Sequence, residues 1–267
     1  MKNNWLRSIL GLPAPAAQEN SAVPTRRERL EFKIIPPLVY AVGDVHGCFD
    51  LLLDLETRIA ADCADQKQPA LIIMLGDYID RGPASSEVIE HLLDPPDFNA
   101  KRICLAGNHE QVMLAFLQDP AANADWLEYG GRETLWSYGL SEKDTSLSAI
   151  SQRSFIHKIN SFIPDEHIAF LAGLPILVQF EHHIFVHAGL RPDVALKQQS
   201  DKDLVWIRDE FYDRPDGFGF TVVHGHTPNK KPFVSNYRIN VDSGAFFTGL
   251  LSAAKFVEGE FIEFITT

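Results

Sequence analysis

Cysteine is scarce in this chain: Cys48, Cys63 and Cys104 make an odd set without paired metal-ligand spacing. Two of them sit inside apolar runs, where a thiol behaves as a small hydrophobe, so the set fits a reducing compartment, the cytoplasm. Positive charge is also in short supply, because 24 Lys and Arg against 36 Asp and Glu leave a net charge of −12. Such a mean field repels polyanions and argues against nucleic acid as partner, but it leaves room for a small anionic substrate held at a locally positive site. Long apolar runs are missing too. Near the start, Trp5, Leu6, Ile9, Leu10 and Leu12 are interrupted by Arg7, and nothing approaches the length that spans a bilayer. Small residues follow at Ala14 to Ala17, yet without an uninterrupted apolar core the segment reads as a frayed, weakly amphipathic tail rather than a secretory leader.

What is present is the composition of one globular domain, 45% apolar over 267 residues. Residues 13–28 are rich in Pro, Ala, Ser and charge and read as a linker, giving a flexible tail over 1–28 and a domain over 29–267. From Pro37 the pattern changes. Leu38 to Val42 is a short apolar run stopped by Gly43-Asp44, and Leu51, Leu52, Leu55 and Ile59 then recur at helical spacing. Leu71 to Leu75 and Arg102 to Ala106 predict further strands, each followed by a helical pattern, at Val88 to Leu93 and at Val112 to Leu117. That alternation implies right-handed crossovers and a largely parallel sheet. Residues 118–165 break the rhythm and predict a mostly helical insertion near the site. The strand-dense second half predicts a second sheet, so the expected architecture is α/β: a two-sheet β-sandwich flanked by helices.

Polar clusters end five of the apolar runs. They are Gly43-Asp44-Val45-His46-Gly47, Gly76-Asp77-Tyr78-Ile79-Asp80-Arg81-Gly82, Gly107-Asn108-His109-Glu110, His187-Ala188-Gly189-Leu190 and His224-Gly225-His226-Thr227-Pro228. Loops beyond the carboxyl ends of strands converge in open α/β sheets, so residues far apart in sequence can meet there. The glycines are expected to supply positive φ, turning the chain so that the next side chain points into the crevice. One Gly-Asp pair is an ordinary turn; five such clusters make a site. Carboxylate, imidazole and amide oxygen without thiolate suit Mn, Fe or Zn. A carboxylate can bridge two cations about 3.5–4 Å apart, and such a pair activates a shared water for in-line attack on a phosphate ester.

In these motifs, in this order from about Tyr40 to Gly244, the chain resembles the calcineurin-like metallophosphoesterases, and within them the bacterial serine/threonine phosphoprotein phosphatases. The resemblance implies that Asp44, His46 and Asp77 hold one metal and that Asp77, Asn108, His187 and His226 hold the other. It implies that His109 is the general acid, oriented by Asp80, and that Arg81 and Arg208 bind the phosphate. The activity expected is hydrolysis of phosphomonoesters, above all on phosphorylated proteins, by direct attack of a metal-bridging hydroxide. A symmetrical dinucleoside polyphosphate hydrolase is the alternative, and a non-catalytic scaffold of the same fold is disfavoured by the intact His109 and Asp80.

Other residues carry weaker expectations. Asp203, Asp209 and Glu210 offer Arg208 ordinary ion-pair partners, and His224 reads as a structural neighbour of the late ligand rather than a ligand. Trp126, Trp136 and Tyr138 either line the substrate mouth or make the insertion's own core. His91, His157, His167, His182 and His183 read as surface or capping residues.

Overall fold

The run Leu38-Val39-Tyr40-Ala41-Val42 is buried at every position, and its alternate side chains go to different layers. Leu38, Tyr40 and Val42 pack outward beneath helices, whereas Val39 and Ala41 join Leu71, Ile73, Phe185, Val223 and Ile239 between two sheets. A strand covered on both faces reads as continuous apolar sequence, which is why this run shows no polar alternation. The computed structural model describes residues 26–142, 152–213 and 217–267.

In chain order the strands are β1 (Arg29–Glu31), β2 (Leu38–Val42), β3 (Ala70–Met74), β4 (Ala100–Cys104), β5 (Leu177–Gln179), β6 (His183–Val186), β7 (Thr221–His224), β8 (Phe233–Val234), β9 (Arg238–Asn240), β10 (Ser252–Val257) and β11 (Glu260–Thr266). The helices used below are α1 (Phe49–Gln66), α2 (Ser85–Leu93), α3 (Asn108–Gln118), α4 (Gly131–Ser137), α5 (Gln152–Asn160), α6 (Asp165–Gly173), α7 (Asp201–Trp206), α8 (Asp209–Tyr212) and α9 (Ala245–Thr248). One sheet has the order β11-β10-β2-β3-β4 and the other β1-β5-β6-β7-β9-β8. The parallel trio β2, β3 and β4 agrees with the strand–helix alternation of the sequence. Outside the second sheet lie α7 and α8, which cover Val186, Val222 and Ile184 with Leu204, Val205 and Phe211.

Three features depart from the sequence expectation. The last two strands do not extend the second sheet: β10 pairs antiparallel with β2 and β11 with β10, closing the edge of the first sheet. Ahead of Pro37, β1 pairs parallel with β5, too short a strand for periodicity to show. Arg27 lies in the segment read as linker, yet it is 3% exposed, and its guanidinium donates to the carbonyls of Leu171 and Leu174 at 3.0 and 2.9 Å, capping the end of α6. The described part of 118–165 holds a 3₁₀ turn over Ala124–Tyr129, α4 and α5, joined by turns; residues 1–25, 143–151 and 214–216 lie outside the described residues. Among the described residues no helix is long and apolar enough to cross a membrane.

Behind the first sheet, Glu56 of α1 accepts hydrogen bonds from Arg102 of β4 and from His91 of α2, the latter at 2.6 Å. His91 is therefore a hydrogen-bond partner of Glu56 and not merely a surface group. Burial pushes the Glu56 carboxyl up, but His91 and Arg102 together hold it below its ordinary value. A depressed folded pKa stabilises the fold above the unfolded carboxyl's titration, and that stabilisation is lost as pH falls through the folded value. Glu56→Gln is expected to cost about 3 kcal/mol at neutral pH. In denaturant titrations the gap from wild type should close on acidification; a pH-independent gap would show that the carboxylate charge is not what matters.

Candidate metal centre

Five loops leave the carboxyl ends of β2, β3, β4, β6 and β7 and bring Asp44, Asp77, Asn108, His187 and His226 to one place. The backbone there is unusual. His46, Asp77, Asp80, Arg81 and His226 have φ of 46°, 53°, 72°, 71° and 66°, and among the described residues only three other non-glycines share that region. Left-handed backbone at such residues costs about 1–3 kcal/mol each and persists only where neighbours over-determine it. Here the carbonyl of Asp77 accepts from the N–H groups of Val45 and His46 at 3.1 and 2.9 Å, and the carbonyl of His46 accepts from Gly82 at 3.0 Å.

The cluster glycines are of two kinds: Gly47, Gly76 and Gly189 have positive φ, as the sequence predicts, and Gly107 and Gly225 do not. At these last two the turn is made by other residues, and the glycines supply room. A Cβ on Gly107 would stand 2.1 Å from Asp77 Oδ1, and one on Gly225 would stand 2.1 Å from Asp44 Oδ1. Each bare glycine lets a carboxylate from another loop lie against the backbone.

Asp77 Oδ2 is the meeting point. His187 Nε2 lies 3.4 Å from it, His46 Nε2 3.6 Å and His109 Nε2 3.9 Å. Two buried donor groups share this carboxylate: His46, Asp77 and His109 on one side, and Asp77, His187 and His226 on the other. Asn108 Oδ1 approaches His187 Nε2 at 2.9 Å, and His226 Nδ1 approaches the same nitrogen at 3.2 Å. Asp44 is tied in by the His226 N–H, which donates to its two oxygens at 3.2 and 3.0 Å.

These residues fit a cation on chemical grounds. The Nδ1–H groups of His46 and His187 donate outward to the carbonyls of Ile79 and Leu75 at 2.8 and 3.0 Å, which turns both Nε2 lone pairs inward. Burial opposes protonation of His187, yet Asp77 holds its pKa above the ordinary imidazole value, so positive charge is called for at this point, and a metal would supply it. Burial pushes His46 down to about 3 despite Asp77, and burial with His187 pushes His226 down to about 2, so both imidazoles are neutral. Burial and the neighbouring Asp242 and Asp77 push the Asp44 carboxyl well above its ordinary range, and Asp242 is pushed up to about 6, chiefly by burial. Crowded buried carboxylates of this kind are relieved by positive charge.

Beside this centre His109 Nδ1 meets Asp80 Oδ2 at 2.6 Å. Burial opposes protonation of His109, yet Asp77 and the Asp80 hydrogen bond hold its pKa above the ordinary imidazole value. Asp80 is fully buried and further held by the Thr134 hydroxyl at 2.6 Å and the Trp126 indole N–H at 2.8 Å.

Comparison with known proteins decides the family. The calcineurin-like phosphoesterase model matches residues 37–249, well over half of the chain. The chain belongs to that family. Bis(5'-nucleosyl)-tetraphosphatase PrpE (asymmetrical) of Halalkalibacterium halodurans is 26% identical to this phosphoesterase over 83% of the chain and 91% of the relative. The protein of the same name from Bacillus thuringiensis is 26% identical over 82% and 90%. The fold is shared with the structure of a candidate diadenosine tetraphosphatase, at TM-score 0.60 and 21% identity over 90% of this chain and 98% of that one. A cold-active protein tyrosine phosphatase shares it at TM-score 0.52 and 16% identity, over 93% and 85%.

The remaining predicted residues of the phosphoesterase fall as follows. Arg81 places its guanidinium 3.3 Å from His109 Nε2 and 4.7 Å from the Phe246 ring centroid. Arg208 donates to Thr227 Oγ1 at 3.1 Å and to the His226 carbonyl at 3.4 Å, while Asp203 and Glu210 pair with Arg191 instead, at 2.6 and 3.6 Å. Two of the three ion-pair partners open to Arg208 on sequence grounds are thus engaged elsewhere. His224 is buried behind the centre, with Nδ1 on the Gly225 carbonyl at 3.0 Å and Nε2 3.3 Å from Arg238. His167, read as surface or capping, is buried between Tyr138 and Glu90 at 2.8 and 2.9 Å.

Three residues important to the centre escape sequence reasoning. Glu110 accepts from the N–H groups of Asp77, Tyr78 and Gly107 at 3.0, 2.8 and 2.8 Å, locking two of the loops together. Its position in the Gly107 cluster was a usable signal. Trp126 and Thr134 sit 46 and 54 residues from the Asp80 they hold, and no spacing rule connects them.

Gly225→Ala must displace Asp44. Metal affinity is expected to fall about 10–100-fold, the range typical of disturbed ligand support. Metal content after dialysis at graded Mn or Zn measures it; undiminished content would remove Asp44 from the centre.

Proposed function

We propose that this phosphoesterase hydrolyses dinucleoside tetraphosphates asymmetrically, on two cations held by the groups that share Asp77. Asp44, His46 and Asp77 would hold one cation; Asp77, Asn108, His187 and His226 would hold the other, and the N and O donors suit Mn, Fe or Zn. When bound, such a pair neutralises phosphate oxygens and lowers the pKa of a water. The observation that carries the reading is Asp77 Oδ2, common to both donor groups, with His109 and Arg81 at its edge.

The chain's own residues supply the rest. Arg81 stands against His109 of one donor group and Arg208 against His226 of the other, where a guanidinium can take two phosphate oxygens and oppose charge that builds up in the transition state. His109 gives its proton to the bridging oxygen that leaves phosphorus as the water oxygen adds. Asp80 fixes the tautomer and orientation of His109 and favours its protonated form, and a binding scaffold has no use for that pair. The substrate class comes from the two relatives, whose names give nucleoside tetraphosphates and not phosphoproteins, so phosphoprotein is displaced as first reading.

Metal-stripped protein supplied with Mn, Zn or Fe should cleave diadenosine tetraphosphate to ATP and AMP. Two molecules of ADP would mean symmetrical cleavage, and activity on phosphopeptide alone would restore the phosphoprotein reading. Inactivity toward every phosphoester with each metal would overturn the proposal. His109→Asn should lower turnover about 10²–10⁴-fold at unchanged metal content; wild-type turnover would take the proton-donor role away from His109.

A further inference from the structure

Four and five residues after Asp242, the chain presents two phenylalanines to solvent beside the metal centre. Phe246 and Phe247, at 39% and 57% exposure, are the middle residues of the short helix α9. Single exposed aromatics are ordinary on a protein surface, but this pair is seated. Gly244, at φ +69°, lies under the Phe247 ring so closely that a Cβ there would stand 2.3 Å from it. The turn beneath is pinned by Thr248, whose hydroxyl donates to the carbonyls of Ser243 and Gly244 at 2.8 and 2.9 Å, and by the Gly244 N–H, which donates to Asp242 at 2.9 Å. Phe246 stands edge-to-face to Phe247 at 5.0 Å, and it also meets the His46 ring at 5.5 Å and carries the Arg81 guanidinium at 4.7 Å. A rigid aromatic surface thus continues outward from a proposed phosphate-binding arginine and a proposed metal ligand.

We infer that Phe247, backed by Phe246, is a nucleobase platform: the base one ribose away from a phosphate held at Arg81 stacks on its open face. The inference rests on the nucleotide reading above and adds the part of the substrate that the phosphate-directed residues cannot recognise. An aromatic face stacks any base, so the platform selects nucleotides over base-free phosphates without choosing among bases.

The test compares AMP with ribose 5-phosphate, which differ only in the base, by calorimetric titration into the metal-loaded full chain. AMP is expected to bind wild type about tenfold tighter than ribose 5-phosphate, and Phe247→Ala to abolish that difference. Phe247→Leu, which keeps bulk over Gly244 but has no π face, should abolish it too, and Phe247→Trp should keep it. Equal binding of the two ligands by wild type, or an AMP preference that survives both Phe247→Ala and Phe247→Leu, overturns the platform. Because the readout is binding, a wild type that prefers AMP yet leaves diadenosine tetraphosphate intact would sustain the platform and sink the substrate reading instead.

Discussion

The Asp77 carboxylate is pulled from two sides, and the rest of the site is arranged around that tension. Its Oδ2 faces three imidazole nitrogens, while its Oδ1 accepts from the backbone N–H of His109 at 3.1 Å. Its own N–H is held by Glu110 and its carbonyl by the Asp44–His46 loop, so every polar group of the residue is spoken for. Burial would push its carboxyl up, but His187 and His109 hold it well below the ordinary range. An ionised carboxylate shared by two donor groups lets few residues hold two cations.

That arrangement demands backbone most residues resist. The left-handed residues lie at the ends of strands buried on both faces, where the surrounding structure gives them no freedom to relax. Rigid layers and strained loops are thus parts of one device: the sandwich supplies the stability that the loops spend in presenting their side chains.

How much of this the sequence disclosed follows from the range of the interactions. The parallel trio β2, β3 and β4 was readable because burial on both faces leaves unbroken apolar runs, and the clusters were readable because each follows such a run. The six residues read as metal ligands lie together, and His109 meets Asp80, because each ends an apolar run or lies in the loop after one. Sheet membership of β10 was not readable, since pairing of Ala253 with Val42 is set by topology rather than by local pattern. The role of Gly225 was hidden for a similar reason: the carboxylate it accommodates belongs to a residue 181 positions away, Asp44. Trp126 looked like either a rim or a core residue; it is core by burial, with a single polar atom engaged on Asp80.

The grip of Trp126 and Thr134 on Asp80 ties the 118–165 segment to the chemistry rather than only to the fold. Such an insertion is not an exchangeable module. Grafting the equivalent segment of another phosphoesterase would carry over its shape but detune the histidine unless an indole and a hydroxyl arrived at the same two places, so diversification here is confined to the segment's outer face.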